Sequence, residues 1–154
     1  MKLLVVSGRS GSGKSVALRV MEDLGYYCVD NIPVNLLPTL ANAVMGQYER
    51  VAVSIDVRNL PQEPEELTDI LSYLPRKVEL TILYLDASHS SLIKRFSETR
   101  RLHPLSHQAM SLDEAIQREQ QLLDPISSRA ELYIDTTDLN VHQLTEQLRE
   151  RILG

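Results

Sequence analysis

The chain has 154 residues, the length of one domain, and is long enough to bury a core without disulfides or a structural metal. Apolar residues make up 43% and charged residues 24%, and 16 basic against 21 acidic side chains leave a formal charge of -5, which argues against nucleic-acid binding across the whole surface. The single cysteine, Cys28, excludes an internal disulfide and fits a reducing cytoplasm, the four histidines form no metal-spaced Cys/His cluster, and no apolar run approaches a membrane span.

In chain order, the unbroken apolar run Leu3 to Val6 within Lys2 to Ser7 predicts a strand covered on both faces. Its start so close to Met1 leaves no room for a signal peptide. After a Gly/Ser-rich turn, Ala17, Val20, Met21 and Leu24 fall at helical spacing, and Gly25 marks the helix end. A second strand is expected from Tyr26 to Asp30. Pro33 opens a helix through Val44 that Pro38 threatens to interrupt. Arg50 to Asp56 reads as the third strand, Pro64 to Tyr73 as a helix stopped at Pro75, Leu80 to Asp86 as the fourth strand, and Ser88 to Glu98 as a helix. An irregular basic stretch, Arg100 to His107, follows. Ser111 and Glu114 have capping-box spacing and start a helix expected to run to Leu123. Leu132 to Asp135 is the fifth strand. Asn140 and Gln143 suggest a second cap, with Val141, Leu144, Leu148 and Ile152 on one apolar face. Alternating strands and helices imply an α/β fold around a five-stranded parallel sheet.

The chemistry begins at Gly8-Arg9-Ser10-Gly11-Ser12-Gly13-Lys14-Ser15, the G-x-x-x-x-G-K-S phosphate-loop pattern, placed between an apolar strand and an amphipathic helix. Glycines let successive backbone N–H groups turn inward, and the helix N-terminus adds its dipole, so the loop cradles an anion. Lys14 supplies a mobile cation for the terminal phosphates of ATP or GTP, and Ser15 a hydroxyl for Mg²⁺. A magnesium site of this kind adds a carboxylate at a strand end, acting through water. Asp30, Asp56, Asp86 and Asp135 all follow apolar strands, and for most of them a plain turn-capping role is expected. A kinase-type strand order, with the third strand beside the first, favours Asp56 and leaves Asp30 on the acceptor side.

Two resemblances extend this reading. Leu85-Asp86 followed by Leu92, Lys94 and Arg95 resembles the fourth strand and adjoining helix of nucleoside monophosphate kinases, a branch of the P-loop NTPase fold. Arg100 and Arg101 then fall where those kinases carry lid arginines, and Ile134-Asp135-Thr136-Thr137 resembles the loop that flanks the base. More specifically, the chain resembles the amino-terminal domain of the RapZ-like RNase adapter family along all 154 residues. The matching segments are Val6 to Ser15, Tyr27-Cys28-Val29-Asp30-Asn31, Ser54-Ile55-Asp56-Val57-Arg58-Asn59, Thr99-Arg100-Arg101-Leu102-His103-Pro104-Leu105 and Ser128-Arg129-Ala130. The resemblance implies binding and weak hydrolysis of ATP or GTP at the phosphate loop and at Asp56-Val57-Arg58-Asn59. It also implies delivery of a small regulatory RNA to an endoribonuclease that tunes amino-sugar synthesis. Family members continue into a second, more basic domain credited with RNA and amino-sugar binding, so residues 1–154 read as the first of two domains of a cytoplasmic homo-oligomer.

Three function classes therefore compete: a nucleotide-sensing regulatory module, a small-molecule kinase, and a docking platform. A kinase needs an acceptor pocket, to which Asp30 and Asn31 can belong, and a transition-state clamp, which Arg100 and Arg101 can form. The alternative for that arginine pair is a solvated basic loop. His103 beside Pro104 reads as structural, and Cys28 as a buried apolar side chain rather than a reactive thiol. The best basic cluster for RNA is small: Lys94, Arg95, Arg100 and Arg101, joined by Arg9 and Arg58 near the nucleotide.

Overall fold

Lys2–Gly8 form β1 in the computed structural model, which describes residues 1–61, 63–99, 103–105 and 111–153. The remaining strands are β2 (Tyr27–Val29), β3 (Arg50–Ser54), β4 (Glu79–Asp86) and β5 (Leu132–Asp135). All neighbours pair in parallel in the order β2-β3-β1-β4-β5, with β3 beside β1 as the kinase-type order requires. The helices are α1 (Lys14–Asp23), α2 (Leu37–Val44), α3 (Pro64–Ser72), α4 (His89–Thr99), α5 (Leu112–Ser127) and α6 (Val141–Leu153).

The apolar run of β1 is continuous because both faces of the sheet are covered. Leu3 and Val5 point to one side and pack with Val34, Leu37, Leu67 and Leu123, from the α2, α3 and α5 layer. Leu4 and Val6 point to the other and pack with Ala17, Met21, Leu144 and Leu148 of α1 and α6. A smaller cluster of Leu92, Phe96 and Ile116 joins α4 to α5 beside the phosphate loop.

Several boundaries differ from the sequence reading, each for a local reason. Pro38 does not interrupt a helix: Val34–Leu36 form a 3₁₀ turn, and Pro38 sits in the first turn of α2, where its missing N–H is not needed. β3 stops at Ser54, and Asp56 instead caps a 3₁₀ turn, Val57–Asn59, by accepting the Arg58 amide at 2.9 Å. α5 runs past Leu123 and through Pro125 to Ser127, because burial of Leu123 and Ile126 holds its last turn on the core. Val141 does not join the apolar face of α6: it is 61% exposed, while Leu144 and Leu148 are buried. The two caps are as expected, Ser111 Oγ accepting the Glu114 amide and Asn140 and Gln143 bonding reciprocally.

Candidate functional site

The chain turns sharply between β1 and α1, and two glycines make the turn feasible. Gly8 lies so close to β4 that a Cβ there would sit 2.1 Å from the Leu85 carbonyl oxygen. Gly13 is the N-cap of α1 with φ 116°, a left-handed conformation that side chains resist, and no side chain caps the helix start. Neighbouring elements hold the loop. Arg95 on α4 donates to the Gly11 carbonyl at 2.8 Å, and Thr136 Oγ1, after β5, donates to the Ser12 carbonyl at 2.8 Å. Lys14 folds back and donates to the Gly8 carbonyl at 2.8 Å.

The loop forms one wall of a cleft of about 580 Å³ at the carboxyl ends of β1, β2 and β3, beside the point where the strand order reverses. Ser10, Gly11, Gly13, Lys14 and Ser15 line that wall. Asp30, Asn31, Ser54, Asp56 and Arg58 line the other. These residues form a single hydrogen-bond network. Ser54 Oγ donates to Asp30 at 2.7 Å and accepts the Asn31 amide at 2.8 Å. Asn31 is the one described non-glycine residue with a left-handed backbone, φ 53°. Its side chain donates to Asp56 Oδ2 at 3.2 Å and accepts from Asn59 Nδ2 at 2.6 Å and from the Asp56 amide at 3.3 Å. Arg58 donates through Nε and Nη2 to the same Asp56 oxygen, at 3.0 and 2.5 Å.

This donor set fits a polyphosphate. Burial takes the Lys14 ammonium out of water and lowers its pKa, while the Glu119 and Asp56 carboxylates oppose the drop. An incoming anion would stabilise that ammonium. Ser12 Oγ is buried beneath the loop beside Gly8, without a hydrogen-bond partner among the described residues. Ser15 is exposed on the same wall and Asp56 lines the opposite one, oxygen donors of the kind a hard cation such as Mg²⁺ would take, although both Asp56 oxygens here accept from Arg58 or Asn31.

Not every residue of the motifs faces the cleft. Arg9 is buried and turned away: its Nε donates to Asp86 at 2.7 Å and its Nη2 to the Ala87 carbonyl at 3.0 Å. Its side chain is therefore not a free cation beside the cleft, as the basic-cluster reading supposed. Val57 packs into the core, and Asn59 supports Asn31 from behind. Of the four strand-end aspartates, Asp86 is spent on Arg9 and the Tyr133 hydroxyl, and Asp135 on the amide and hydroxyl of Thr137. Those Thr137 bonds hold the Asp135 carboxyl below the usual range. Arg100 and Arg101 lie outside the described residues. One residue escaped sequence reasoning. Glu119 on α5 is fully buried against the loop, and its Oε1 accepts the Ser10 amide at 2.8 Å. A signal existed: helical spacing puts Glu119 in the middle of the stripe Ala115, Ile116, Leu123 and Ile126.

The model of the RapZ-like N-terminal domain matches residues 1–154. The chain belongs to the RapZ-like N-terminal domain family. Within it, the chain is 70% identical to a nucleotide-binding protein of Pseudoalteromonas atlantica, over its whole length and 55% of that protein. It is 56% identical to the RNase adapter protein RapZ of Photorhabdus laumondii, over its whole length and 54% of that protein. This RapZ-like domain thus spans about half the length of the curated relatives it matches. Its fold is also that of a sugar kinase from Janibacter, with a TM-score of 0.66 at 19% identity over 99% of this chain and 92% of the kinase. The five-stranded parallel sheet flanked by helices is therefore the P-loop, nucleoside-monophosphate-kinase-like fold. Among the described residues no helix is long and apolar enough to cross a membrane.

Proposed function

We propose that this RapZ-like domain binds ATP or GTP with Mg²⁺ in the cleft between the phosphate loop and the Asp30–Asp56 wall, on the plan of a small-molecule kinase. The observation that carries the reading is the partly desolvated Lys14 ammonium, which lines a polar cleft with Ser15 and a carboxylate opposite. Lys14 neutralises the β/γ-phosphates. Ser15 and, through water, Asp56 hold the metal, which supplies charge neutralisation at the phosphates. For Asp56 to do so, Arg58, whose side chain is 55% exposed, must leave its carboxylate. Lys14→Ala should lower nucleotide affinity at least about tenfold, on the order of 1.4 kcal/mol, without loss of folding. Calorimetry with ATP, GTP and a non-hydrolysable analogue, with and without Mg²⁺, measures this, and unchanged affinity would refute the site.

Two uses of such a site compete. The kinase reading is favoured by the acceptor wall and by the sugar-kinase likeness. Asp30 is exposed beside Ser54 and Asn31, where it can take the proton of an acceptor hydroxyl as that oxygen bonds the γ-phosphorus and the bond to the β-phosphate oxygen breaks. The regulatory reading rests on the Photorhabdus relative, an RNase adapter. In it the domain reports nucleotide to a longer protein that hands a small RNA to an endoribonuclease, and hydrolysis stays well below ~1 s⁻¹. Phosphoryl transfer to a panel of sugars, nucleosides and cofactors, repeated with Asp30→Asn, separates them. Transfer lost in the variant supports a kinase; slow hydrolysis alone supports the sensor.

A further inference from the structure

Glu119 has no part in the nucleotide chemistry just proposed, yet it is tied to the phosphate loop more closely than any other carboxylate. It stands 109 positions from the loop in sequence. Its Oε1 accepts the Ser10 amide at 2.8 Å, and its Oε2 accepts the Ser10 hydroxyl at 2.6 Å. His103 Nε2 meets Oε1 at 2.9 Å. The Leu105 amide points at His103 Nδ1, at 3.1 Å, so Nδ1 is an acceptor and the ring proton sits on Nε2, aimed at Glu119. The Phe96 ring, 5.2 Å from the imidazole, covers the group, and the side chains of Glu119 and His103 are both 0% exposed.

Three donors from two distant chain segments thus converge on one carboxylate that water does not reach. An isolated buried carboxylate would be costly, and only such a set of donors makes this one tolerable. Equally, the donors depend on it: without Glu119, the His103 ring would be left buried and unpaired, and the Ser10 amide would lose its partner.

We propose that Glu119 is a positioning residue that presets the phosphate loop through Ser10 and couples it, through His103, to the segment at residues 103–105. The proposal rests on the nucleotide reading only for what the loop binds. Two effects of Glu119 on an anion oppose each other. Its charge repels phosphate, and removing it would tighten binding. Its hydrogen bonds hold the loop in shape, and removing them would weaken binding. Its field also raises the Lys14 pKa against the larger pull of burial. Two bonds fix one residue of an eight-residue loop, so the structural effect dominates.

Glu119→Met tests this at similar length and volume, because it removes both acceptor oxygens that Ser10 and His103 use. Hydrogen exchange without nucleotide should speed at least about tenfold at the Ser10 and Leu105 amides together. Affinity for ATP–Mg²⁺ and for inorganic pyrophosphate should fall at least about tenfold, while melting stays cooperative. Glu119→Asp, which keeps the charge but pulls it back, should also weaken binding; recovery of full affinity in that variant would mean charge alone matters. Unchanged exchange at Ser10, or tighter anion binding in Glu119→Met, overturns the proposal. If that variant fails to fold, His103→Gln decides: faster exchange at Ser10 upholds the coupling, and unchanged exchange overturns it. A wild-type chain that binds neither ATP nor pyrophosphate refutes the nucleotide reading, and the exchange arm still judges Glu119.

Discussion

Burial holds the Lys14 pKa below its ordinary value in the free chain, and bound phosphate would raise it again by favouring the ammonium. The complex then holds more protons than the free chain between the lowered and the restored value. Linkage fixes the sign: nucleotide affinity falls as pH rises through that window. Calorimetry from pH 7 upward should show the fall beginning below the ordinary lysine range of about 10.4; a flat profile would mean Lys14 does not meet the phosphates. Cys28 makes the opposite kind of site. Burial, helped by Glu22, pushes its thiol up to about 11, so little thiolate exists near neutrality. Iodoacetamide at mildly alkaline pH should label it far more slowly in the native chain than in denaturant, as mass spectrometry can follow.

At the scale of elements, the site depends on how closely β1 passes β4. The two strands pair from Lys2 with Glu79 to Gly8 with Leu85, and the phosphate loop departs at the end of that ladder. Gly8 has φ 152°, and a methyl group there would meet the Leu85 backbone rather than a side chain that can yield. Gly8→Ala should therefore disrupt folding, not only binding, with loss of cooperative melting by circular dichroism; a well-folded variant would mean the loop can lift off β4. α5 shows a milder dependence. Its Ser111 cap serves an exposed helix end, and Ser111→Ala should cost about 1 kcal/mol of stability by chemical denaturation.

For the molecule as a whole, the net charge of -5 repels RNA, and the described arginines nearest the cleft are already engaged. Arg9 is locked to Asp86, Arg58 sits on Asp56, and Arg95 holds Gly11 and Thr136. RNA binding by residues 1–154 should be weak at physiological ionic strength and collapse with added salt. Anisotropy with a structured small RNA, with and without ATP–Mg²⁺, measures it. Salt-resistant, sequence-selective binding at submicromolar concentration would move the RNA site into this domain.

Local rules carried much of the fold. The apolar run of β1, the caps at Ser111 and Asn140, the β5 strand and the phosphate-loop motif are each set by neighbours within a few positions, and such signals survive in one dimension. The strand order joined them through a resemblance, and the sheet has that order. Which aspartate lines the cleft was not local. Asp30, Asp56, Asp86 and Asp135 all end strands; the kinase-type strand order favours Asp56 and leaves Asp30 on the acceptor side, and the partners brought by folding show why the other two are consumed, by Arg9, Tyr133 and Thr137. Arg9 read as a member of a basic cluster near the nucleotide, and β4 sets Asp86 beside it. Glu119 looked like one more polar residue of a mixed helix until packing placed it under Ser10. The sequence by itself determined where the phosphate-loop pattern falls between β1 and α1; tertiary structure alone decided which charges line its cleft, because a buried charge takes its role from the partners that exclude water around it.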